Sequence, residues 1–256
     1  MIYGIGIILE CILNYNFAMN SSYKKCFQEY NQAIKGLWKL EFDDVIKSTE
    51  NTNVKFKQFC FHVKQDESPI WFFGMNPSLL DSTNEFISQT TPPDKHLIAK
   101  LEKEQKKMHK EIQYFKRATV FFEEEVIIPE LRKPIFHDLY PVRHTNQKEF
   151  VKFLKDNPGF CKEIDKATKD LIDGIMPEII VIANAKASEL MQKIFFGESE
   201  AEKIKLKGKT KCPYKFNGKK TDMIFSSMLS GQRALDTYSR SRLAKEIIET
   251  WESRNN

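Results

Sequence analysis

The sequence predicts an α/β protein, a three-layer α/β/α sandwich with a mainly parallel, four-stranded central sheet. Short apolar runs alternate along the chain with stretches of helical hydrophobic spacing, which is typical of a parallel sheet covered on both faces. No internal repeat and no linker rich in Pro, Gly or Ser divides the 256 residues. We therefore expect one domain over residues 19–256, preceded by an apolar extension over residues 1–18.

The extension lacks the basic start and the cleavage site of a signal peptide. It is also shorter and more interrupted than the ~20 apolar residues of a membrane-spanning helix. It is a first element packed on the core, a weak membrane anchor, or sequence outside the working protein, which would then start at Met19. Ser21 and Ser22, placed to cap the first helix directly after Met19, favour the last interpretation.

The strands are predicted from short apolar runs. Ile70–Phe73 is wholly apolar and ends in Gly-Met-Asn-Pro, which is typical of a buried parallel strand that opens into a loop. An alternating pattern over residues 54–63 indicates a further strand. The other three runs of the central sheet are Pro134–Leu139, Ile179–Ala183 and Met223–Phe225.

Helices are predicted where apolar residues recur every three or four positions. Pro158-Gly159 breaks one such pattern into two helices, and Asn184 is placed to cap another. The predicted helices are Ser21–Val45, Lys95–Phe115, Phe150–Leu154, Phe160–Ile175, Ala185–Phe195 and Tyr238–Trp251.

Polar residues and turn-forming residues follow the predicted strands. In open parallel sheets, ligands bind in the crevice beyond the carboxyl ends of the strands. We therefore expect the loops after the first and fourth strands, Gly74–Ser78 and Ser226–Gln232, to lie at the same end of the sheet and to line one cleft. Asp138–Arg143 and Asn184–Lys186 follow the other two strands.

Four sequence blocks, in this order, resemble the uracil-DNA glycosylase superfamily. IWFFGMNPS is similar to its first motif, in which a strand ends in Gly-x-Asn-Pro or Gly-x-Asp-Pro. IFSSMLSGQRALDTYSRSRL is similar to its second motif, a loop of the His-Pro-Ser-x-Leu-Ser type followed by a helix. PIFHDLYPVR and EIIVIANAKASEL match the two intervening strands. The resemblance spans Pro69 to Leu243 and is nearest to bacterial uracil-DNA glycosylase-like proteins.

The first motif implies how water would be delivered to the substrate. By resemblance, Asn76 positions the attacking water, Gly74 and Met75 contact the base, and Ser78 contacts DNA. An amide can orient a water, but it does not ionise and so cannot act as the general base. The structural alternative is that Asn76 caps a turn. Phe86 is the aromatic residue predicted to stack on the extruded base.

Asp138 stands where the related families place an Asn that reads the base edge. An ionised carboxylate only accepts hydrogen bonds, so it favours an edge rich in donors and disfavours the O4 carbonyl of uracil. His137 takes this position if the register shifts by one residue. The structural alternative is an ion pair of Asp138 with Arg143 or Arg132.

The second motif lacks the His that stabilises the departing base in the related enzymes. Phe225 stands there, and losing one such donor typically costs about a hundred- to a thousandfold in rate. Ser227 is the catalytic candidate of this loop, and Ser226, Ser227 or Gln232 can supply a weaker substitute hydrogen bond. Leu229 falls on the apolar wedge that enters the duplex, or else is a buried anchor of the loop. The other DNA contacts predicted from this motif are Ser230, Gln232 and Arg233.

Lysines crowd residues 203–220, and Arg233, Arg240 and Arg242 follow the predicted wedge. Basic residues on both sides of a wedge would bracket the phosphates that flank an extruded nucleotide. Lys209 and Lys211 are the lysines that we expect to bind DNA. The alternative is a solvated hairpin or loop, because the stretch contains the Gly, Pro and Asn of one.

Composition and spacing argue against several other functions. The five cysteines are scattered and never form a Cys-x-x-Cys pair, which excludes a disulfide framework and a standard zinc or iron–sulfur site. The histidines show no His-Glu-x-x-His spacing, and the net charge of +5 is modest. We expect a cytoplasmic monomer that binds DNA, with no cofactor, no metal and no stable membrane association.

Three functions remain on the sequence alone. The first is a monofunctional DNA glycosylase that hydrolyses the N-glycosidic bond of a damaged or deaminated, uracil-type base flipped out of double- or single-stranded DNA. The second is a catalytically impaired, glycosylase-like nucleic-acid-binding module, and the third is an unrelated α/β protein. The intact Gly-Met-Asn-Pro sequence places the first ahead, whereas Phe225 and Asp138 favour the second.

Overall fold

The computed structural model describes residues 22–34, 36–37, 67–75, 113–141, 147–227, 229 and 235–255. These residues form an α/β protein with seven α-helices and one five-stranded, mostly parallel sheet. The N-terminal extension, the strand predicted over residues 54–63 and most of the predicted helix Lys95–Phe115 lie outside the described residues.

The sheet has the strand order β2-β1-β3-β5-β4. Strands β2, β1, β3 and β5 are parallel to one another, and these are the four strands that the sequence predicts. Strand β4 is antiparallel to β5, so the sheet is mixed. The strands are β1 (Ile70–Gly74), β2 (Ile135–Asp138), β3 (Ile179–Ala183), β4 (Lys211–Phe216) and β5 (Lys219–Ser226).

Strand β4 corrects the prediction of a four-stranded sheet. It forms a hairpin with β5 through Asn217 and Gly218, which have positive φ angles of 47° and 77°. Two successive residues with positive φ suit a two-residue hairpin, because that turn matches the twist of the paired strands. Cys212 and Tyr214 point into the core, while Lys211 and Lys215 are exposed. The basic stretch is therefore partly an edge strand.

Helices cover both faces of the sheet. Trp71 and Phe73 of β1 belong to a core cluster with helices α1, α3, α4 and α5, whereas Phe72 belongs to a second cluster with α2 and α7. Each face thus has its own apolar core. The helices are α1 (residues 22–34), α2 (Gln113–Glu124), α3 (Gln147–Asp156), α4 (Pro158–Ile175), α5 (Ala185–Phe196), α6 (Glu198–Leu206) and α7 (Thr237–Asn255).

Two helix starts follow the chemistry that the sequence predicts. The Asn184 side chain caps α5 by accepting hydrogen bonds from the backbone N–H groups of Lys186 and Ala187, at 2.9 and 3.1 Å. Pro158 occupies the first turn of α4, where its missing N–H has no intrahelical partner to lose. The break between α3 and α4 falls at Asn157, one residue before the predicted Pro158-Gly159.

An ion-pair network fastens the end of α7 to the start of β5. Asp222 is only 3% exposed, and its Oδ2 lies 2.8 Å from Nη1 of Arg254 and 3.0 Å from Nζ of Lys220. The Arg254 guanidinium also reaches Glu178, which directly precedes β3, at 3.4 Å. One arginine therefore ties α7 to two central strands of the sheet.

Asp222→Ala should lower the free energy of unfolding by about 3 kcal/mol, because it leaves Arg254 and Lys220 without their buried partner. Chemical denaturation followed by circular dichroism measures the loss. Asp170→Ala is the matched control, since Asp170 pairs with Lys166 on the exposed side of α4 and should leave the midpoint unchanged. Equal losses in the two variants would contradict this account of the network.

Candidate functional site

The carboxyl ends of the four parallel strands lie on one edge of the sheet. Gly74 is in register with Asp138, and Ala183 is in register with Ser226. The loops that follow β1 and β5 therefore start at the same edge, as the sequence predicts. Six of the predicted site residues lie outside the described residues: Asn76, Ser78, Phe86, Ser230, Gln232 and Arg233.

A cavity of about 610 Å³ opens at this edge, beyond the end of β5 and between α5 and α7. Phe225, Ser226 and Ser227 line it, so the predicted second motif forms part of its wall. Gly74 and Met75 do not line it, and both are buried at the end of β1. One cleft shared by the two motifs is therefore not seen within the described residues.

Phe225, an apolar residue, lines the cavity at the position for which the resemblance implies a His. It is 7% exposed, it belongs to the first core cluster, and its backbone N–H donates to the carbonyl of Thr210 at 2.7 Å. Hydroxyl groups lie beside it on Ser226 and on the exposed Ser227. The Ser188 hydroxyl donates to the Ser226 carbonyl at 3.4 Å, which holds the end of β5 against α5.

The two carboxylates of the cavity are already engaged. Lys186 donates to Glu189 at 2.8 Å, and this hydrogen bond is the main reason why the pKa of Glu189 lies below its usual value. Glu246 accepts a hydrogen bond from the Thr210 hydroxyl at 2.9 Å. Both carboxylates that line the cavity therefore already accept a hydrogen bond from another side chain.

Lys205 of α6 and Arg242 of α7 are the cations that line the cavity, and both are exposed. Neither side chain makes a hydrogen bond or an ion pair within 4.0 Å to a residue that the structure describes, although the Lys205 charge helps to lower the pKa of Glu189. Residues Ser239, Arg242, Leu243 and Glu246 follow the spacing of one helical face. The same spacing holds for Ala185, Ser188, Glu189 and Gln192 of α5, so a helical-face pattern beside a strand end was the signal that could have found them.

The segment after β2 is fixed against β1 and α4. Backbone N–H groups of Leu139 and Tyr140 donate to the carbonyls of Gly74 and Met75, at 3.1 and 3.0 Å. The Tyr140 hydroxyl donates to Oδ1 of Asp165 at 3.0 Å, and burial raises the pKa of Asp165 to about 6. These bonds hold the half-buried end of β2, where Asp138 lies, in one position.

The structure tests one of the two ion pairs suggested for Asp138, the one with Arg132. The Arg132 guanidinium instead donates to the carbonyls of Val126 and Ile127, at 3.5 and 3.2 Å. Arg143, the other suggested partner, lies outside the described residues. Asp138 is half-buried at the carboxyl end of β2 and does not line the cavity beyond β5.

His137 does not take the place of Asp138. Successive residues of a strand point to opposite faces, and His137 points into the first core cluster with Trp71 and Phe73. Its ring centroid lies 4.7 Å from that of Phe73, and its Nδ1 lies 2.7 Å from the carbonyl oxygen of Asp138. Burial lowers the pKa of His137 to about 3, so the ring is neutral at physiological pH.

The structure decides between the two interpretations of Leu229 and directs Arg240 away from the cavity. Leu229 is 3% exposed and packs in the second core cluster with Leu243 and Ile247, so it is the buried anchor of its loop rather than a projecting wedge. Arg240 forms an ion pair with Glu125 and is not directed at the cavity. Of the two arginines predicted on α7, Arg242 is the one that lines the cavity.

Lys209 and Lys211 lie beside the cavity wall that Thr210 provides. Both lysines are exposed, Lys209 just before β4 and Lys211 at its first residue. The Lys211 ammonium donates to the Thr250 hydroxyl of α7 at 3.2 Å, while its side chain keeps contact with solvent. Their positions put positive charge next to the second motif.

Comparison with known proteins does not assign the chain to a family. No protein-family model matches the chain, and no curated protein matches it significantly.

Within the described residues, no group of three or more His, Cys, Asp or Glu side chains is placed to hold a metal ion. Among the helices described, none combines the length and apolar character that crossing a bilayer requires.

The His137 ring should not titrate between pH 8 and pH 5, because protonation would place a charge in the apolar core. Two-dimensional NMR of the imidazole protons over that range measures this, and His137→Phe identifies the signal by removing it. A titration midpoint near 6.5 for the assigned signal would show that the ring reaches solvent and would restore it as a site candidate.

Proposed function

We propose that this protein is DNA glycosylase-like and hydrolyses the N-glycosidic bond of a damaged or deaminated, uracil-type base flipped out of DNA. The observation that carries the proposal is the cavity lined by Phe225, Ser226 and Ser227 at the carboxyl ends of parallel strands. Strand β1, with its Gly-Met-Asn-Pro sequence, ends at the same edge. Both strands belong to the blocks that resemble the uracil-DNA glycosylase superfamily.

The proposed reaction needs a water, a sugar carbon and a stabilised leaving group. Water attacks the anomeric carbon, the bond from that carbon to the base nitrogen breaks, and the bonding electron pair leaves with the base. The proton that the water loses ends on the released base anion, so no side chain has to keep it. Asn76, two residues beyond the end of β1, is proposed to hold this water through its amide. Extrusion of the nucleotide brings the sugar within reach of that amide.

Stabilisation of the departing base is the step that limits the proposed reaction. The Phe225 ring offers neither a hydrogen-bond donor nor a charge, so the hydroxyl groups of Ser226 and Ser227 are the nearest donors in the cavity wall. A neutral hydroxyl stabilises a developing anion less than a charged donor does. We therefore propose slow cleavage, with a preference for bases that leave readily or that present a donor to Asp138.

Binding to DNA is proposed to involve the basic surface beside the cavity. Lys207 and Lys209 are exposed in the turn that joins α6 to β4, and Lys211 follows at the start of β4. Lysine ammonium groups bind phosphates as point charges and release condensed counterions when they do so. The proposed partner is therefore DNA, bound by a cytoplasmic monomer.

Affinity for DNA should fall steeply between 50 and 200 mM salt, and the double charge reversal Lys209→Glu with Lys211→Glu should weaken binding to all sequences alike. Fluorescence anisotropy with labelled oligonucleotides measures both effects. The matched control is the double reversal Lys162→Glu with Lys166→Glu on α4, which changes the net charge equally, lies outside the cavity and should leave affinity nearly unchanged. Unchanged binding after the double reversal would show that these lysines are merely solvated.

Cleavage should be slow on uracil and faster on hypoxanthine or xanthine, measured by alkaline cleavage of oligonucleotides after incubation. Asn76→Ala should abolish cleavage while DNA affinity stays unchanged, because the amide positions water rather than phosphate. Phe225→His should raise the rate by up to about a hundred- to a thousandfold, since it restores a donor for the departing base. Circular dichroism confirms that each variant is folded.

A nucleic-acid-binding module without catalysis is the second candidate function. The specific observation in its favour is Phe225, whose ring is packed in the core at the position of the catalytic His of the related enzymes. No cleavage of any lesion by the wild type, and none gained by Phe225→His, would replace the glycosylase proposal with this one. DNA binding in the same preparation separates that outcome from inactive protein.

A further inference from the structure

The cavity between α5 and α7 changes in character from its floor to its mouth. Gln192, Phe225 and Leu243 line the floor and are 9%, 7% and 4% exposed. Lys205 and Arg242 line the same cavity but are exposed, which places them at the mouth. A ligand that matches this gradient is flat and partly apolar at one end and anionic at the other.

Gln192 is the uncharged amide on the floor. The residue is 9% exposed and lines the cavity, and its side chain makes no hydrogen bond to a residue that the structure describes. Its amide atoms are not among the fully buried polar atoms that lack a partner, so they keep access to the cavity. An amide offers a donor and an acceptor side by side, which pairs with a nucleobase edge that offers the same two groups in reverse order.

Apolar residues accompany Gln192 in the cavity lining. Phe225 and Leu243 both line the cavity, and each also belongs to one of the two core clusters. The polar groups next to Gln192 on the same helix are occupied, because Ser188 donates to backbone carbonyls and Glu189 is held by Lys186. Gln192 is thus left as the group on α5 that is free to read a base edge within the described cavity.

Two cations lie at the mouth of the cavity, and two carboxylates share its lining. Glu189 is paired with Lys186 and Lys193 and also feels the charge of Lys205, whereas Glu246 accepts a hydrogen bond from the neutral Thr210 hydroxyl. Lys205 and Arg242 have no ion-pair partner among the residues that the structure describes. A phosphate group is the anion that a lysine and an arginine at one opening fit, since both form charge-assisted hydrogen bonds with it.

We propose that this cavity is a nucleotide-binding site in which Gln192 reads the base edge and Lys205 and Arg242 bind the phosphate. The inference rests on the proposed function, because the nucleotide of interest is the one extruded from DNA. It changes one role, since Gln192 lines this cavity and Asp138 does not, so Gln192 rather than Asp138 reads the base there. Its volume of about 610 Å³ suits a small-molecule ligand, for which pockets span roughly 300–1,000 Å³. A free mononucleotide and a nucleotide of a DNA strand offer the same chemistry, and the experiment distinguishes them.

Calorimetric titration compares deoxyuridine monophosphate, deoxyuridine and inorganic phosphate on the full chain. The monophosphate should bind more tightly than the nucleoside, and Lys205→Ala or Arg242→Ala should remove that difference. Gln192→Met keeps the side-chain volume and deletes the amide, so it should weaken the nucleotide and the nucleoside at least about tenfold and leave phosphate binding unchanged. Its thermal midpoint, measured alongside, confirms that the variant is folded.

Matched controls come from the same helices. Lys203→Ala removes a charge from α6 at a residue paired with Glu200, and Lys245→Ala does so on α7 at a residue near Glu249; neither residue lines the cavity. Both controls should bind deoxyuridine monophosphate as the wild type does. A single-stranded oligonucleotide that displaces the bound monophosphate identifies the strand as the source, and failure to displace it identifies the free nucleotide.

Two results would overturn the inference: no binding of either nucleotide form, or equal binding by the wild type and Gln192→Met. Failure of the glycosylase proposal is separate, because it is read from cleavage. If Gln192→Met cleaves a lesion at the wild-type rate, Gln192 does not read the base, and the glycosylase proposal is unaffected. If nucleotide binding depends on Gln192 but the wild type cleaves no lesion, the nucleotide site is supported and the glycosylase proposal fails.

Discussion

Burial of β1 and β3 on both faces is the constraint on which the rest of the structure depends. All five residues of each strand are buried, so helices must cover both sides of the sheet. Each crossover that places a helix there also returns the chain to the same end of the sheet, which makes neighbouring strands parallel. Polar chemistry is then excluded from the sheet faces and concentrates where the strands end.

The same constraint produces the cavity. Helix α5 packs on the first core cluster and α7 on the second, so the two helices flank β3 and β5 from opposite faces. Beyond Ser226 the sheet no longer separates them, and the space between their facing side chains stays open. Buried residues of the core, such as Phe225, line the floor of the cavity. Exposed charged residues of the helices line its mouth. The gradient from apolar to cationic thus follows from the architecture.

The sequence predicts the parts of this fold that depend on local patterns. Ile70–Phe73 and Ile179–Ala183 are unbroken apolar runs. The Asn184 cap is equally local, because its side chain accepts hydrogen bonds from backbone N–H groups two and three residues later. Strand β4 escaped prediction because its lysines alternate with only two fully buried side chains, which resembles a solvated hairpin. The orientation of His137 and the burial of Leu229 depend on strand register and on packing against distant helices, which spacing along the chain does not encode. For the same reason, Gln192 was not singled out.

The arginines of α7 show why a count of basic residues does not locate an anion-binding surface. Arg240 and Arg254 are 14 residues apart, nearly four full turns, so they lie within about 40° of each other around the helix, close to its buried stripe. There each finds an acid, Glu125 at one end of the helix and Asp222 at the other. Arg242 is turned about 200° from Arg240, away from that stripe and toward the cavity. Helical phase, rather than the net charge of +5, therefore decides which arginine is available to a ligand.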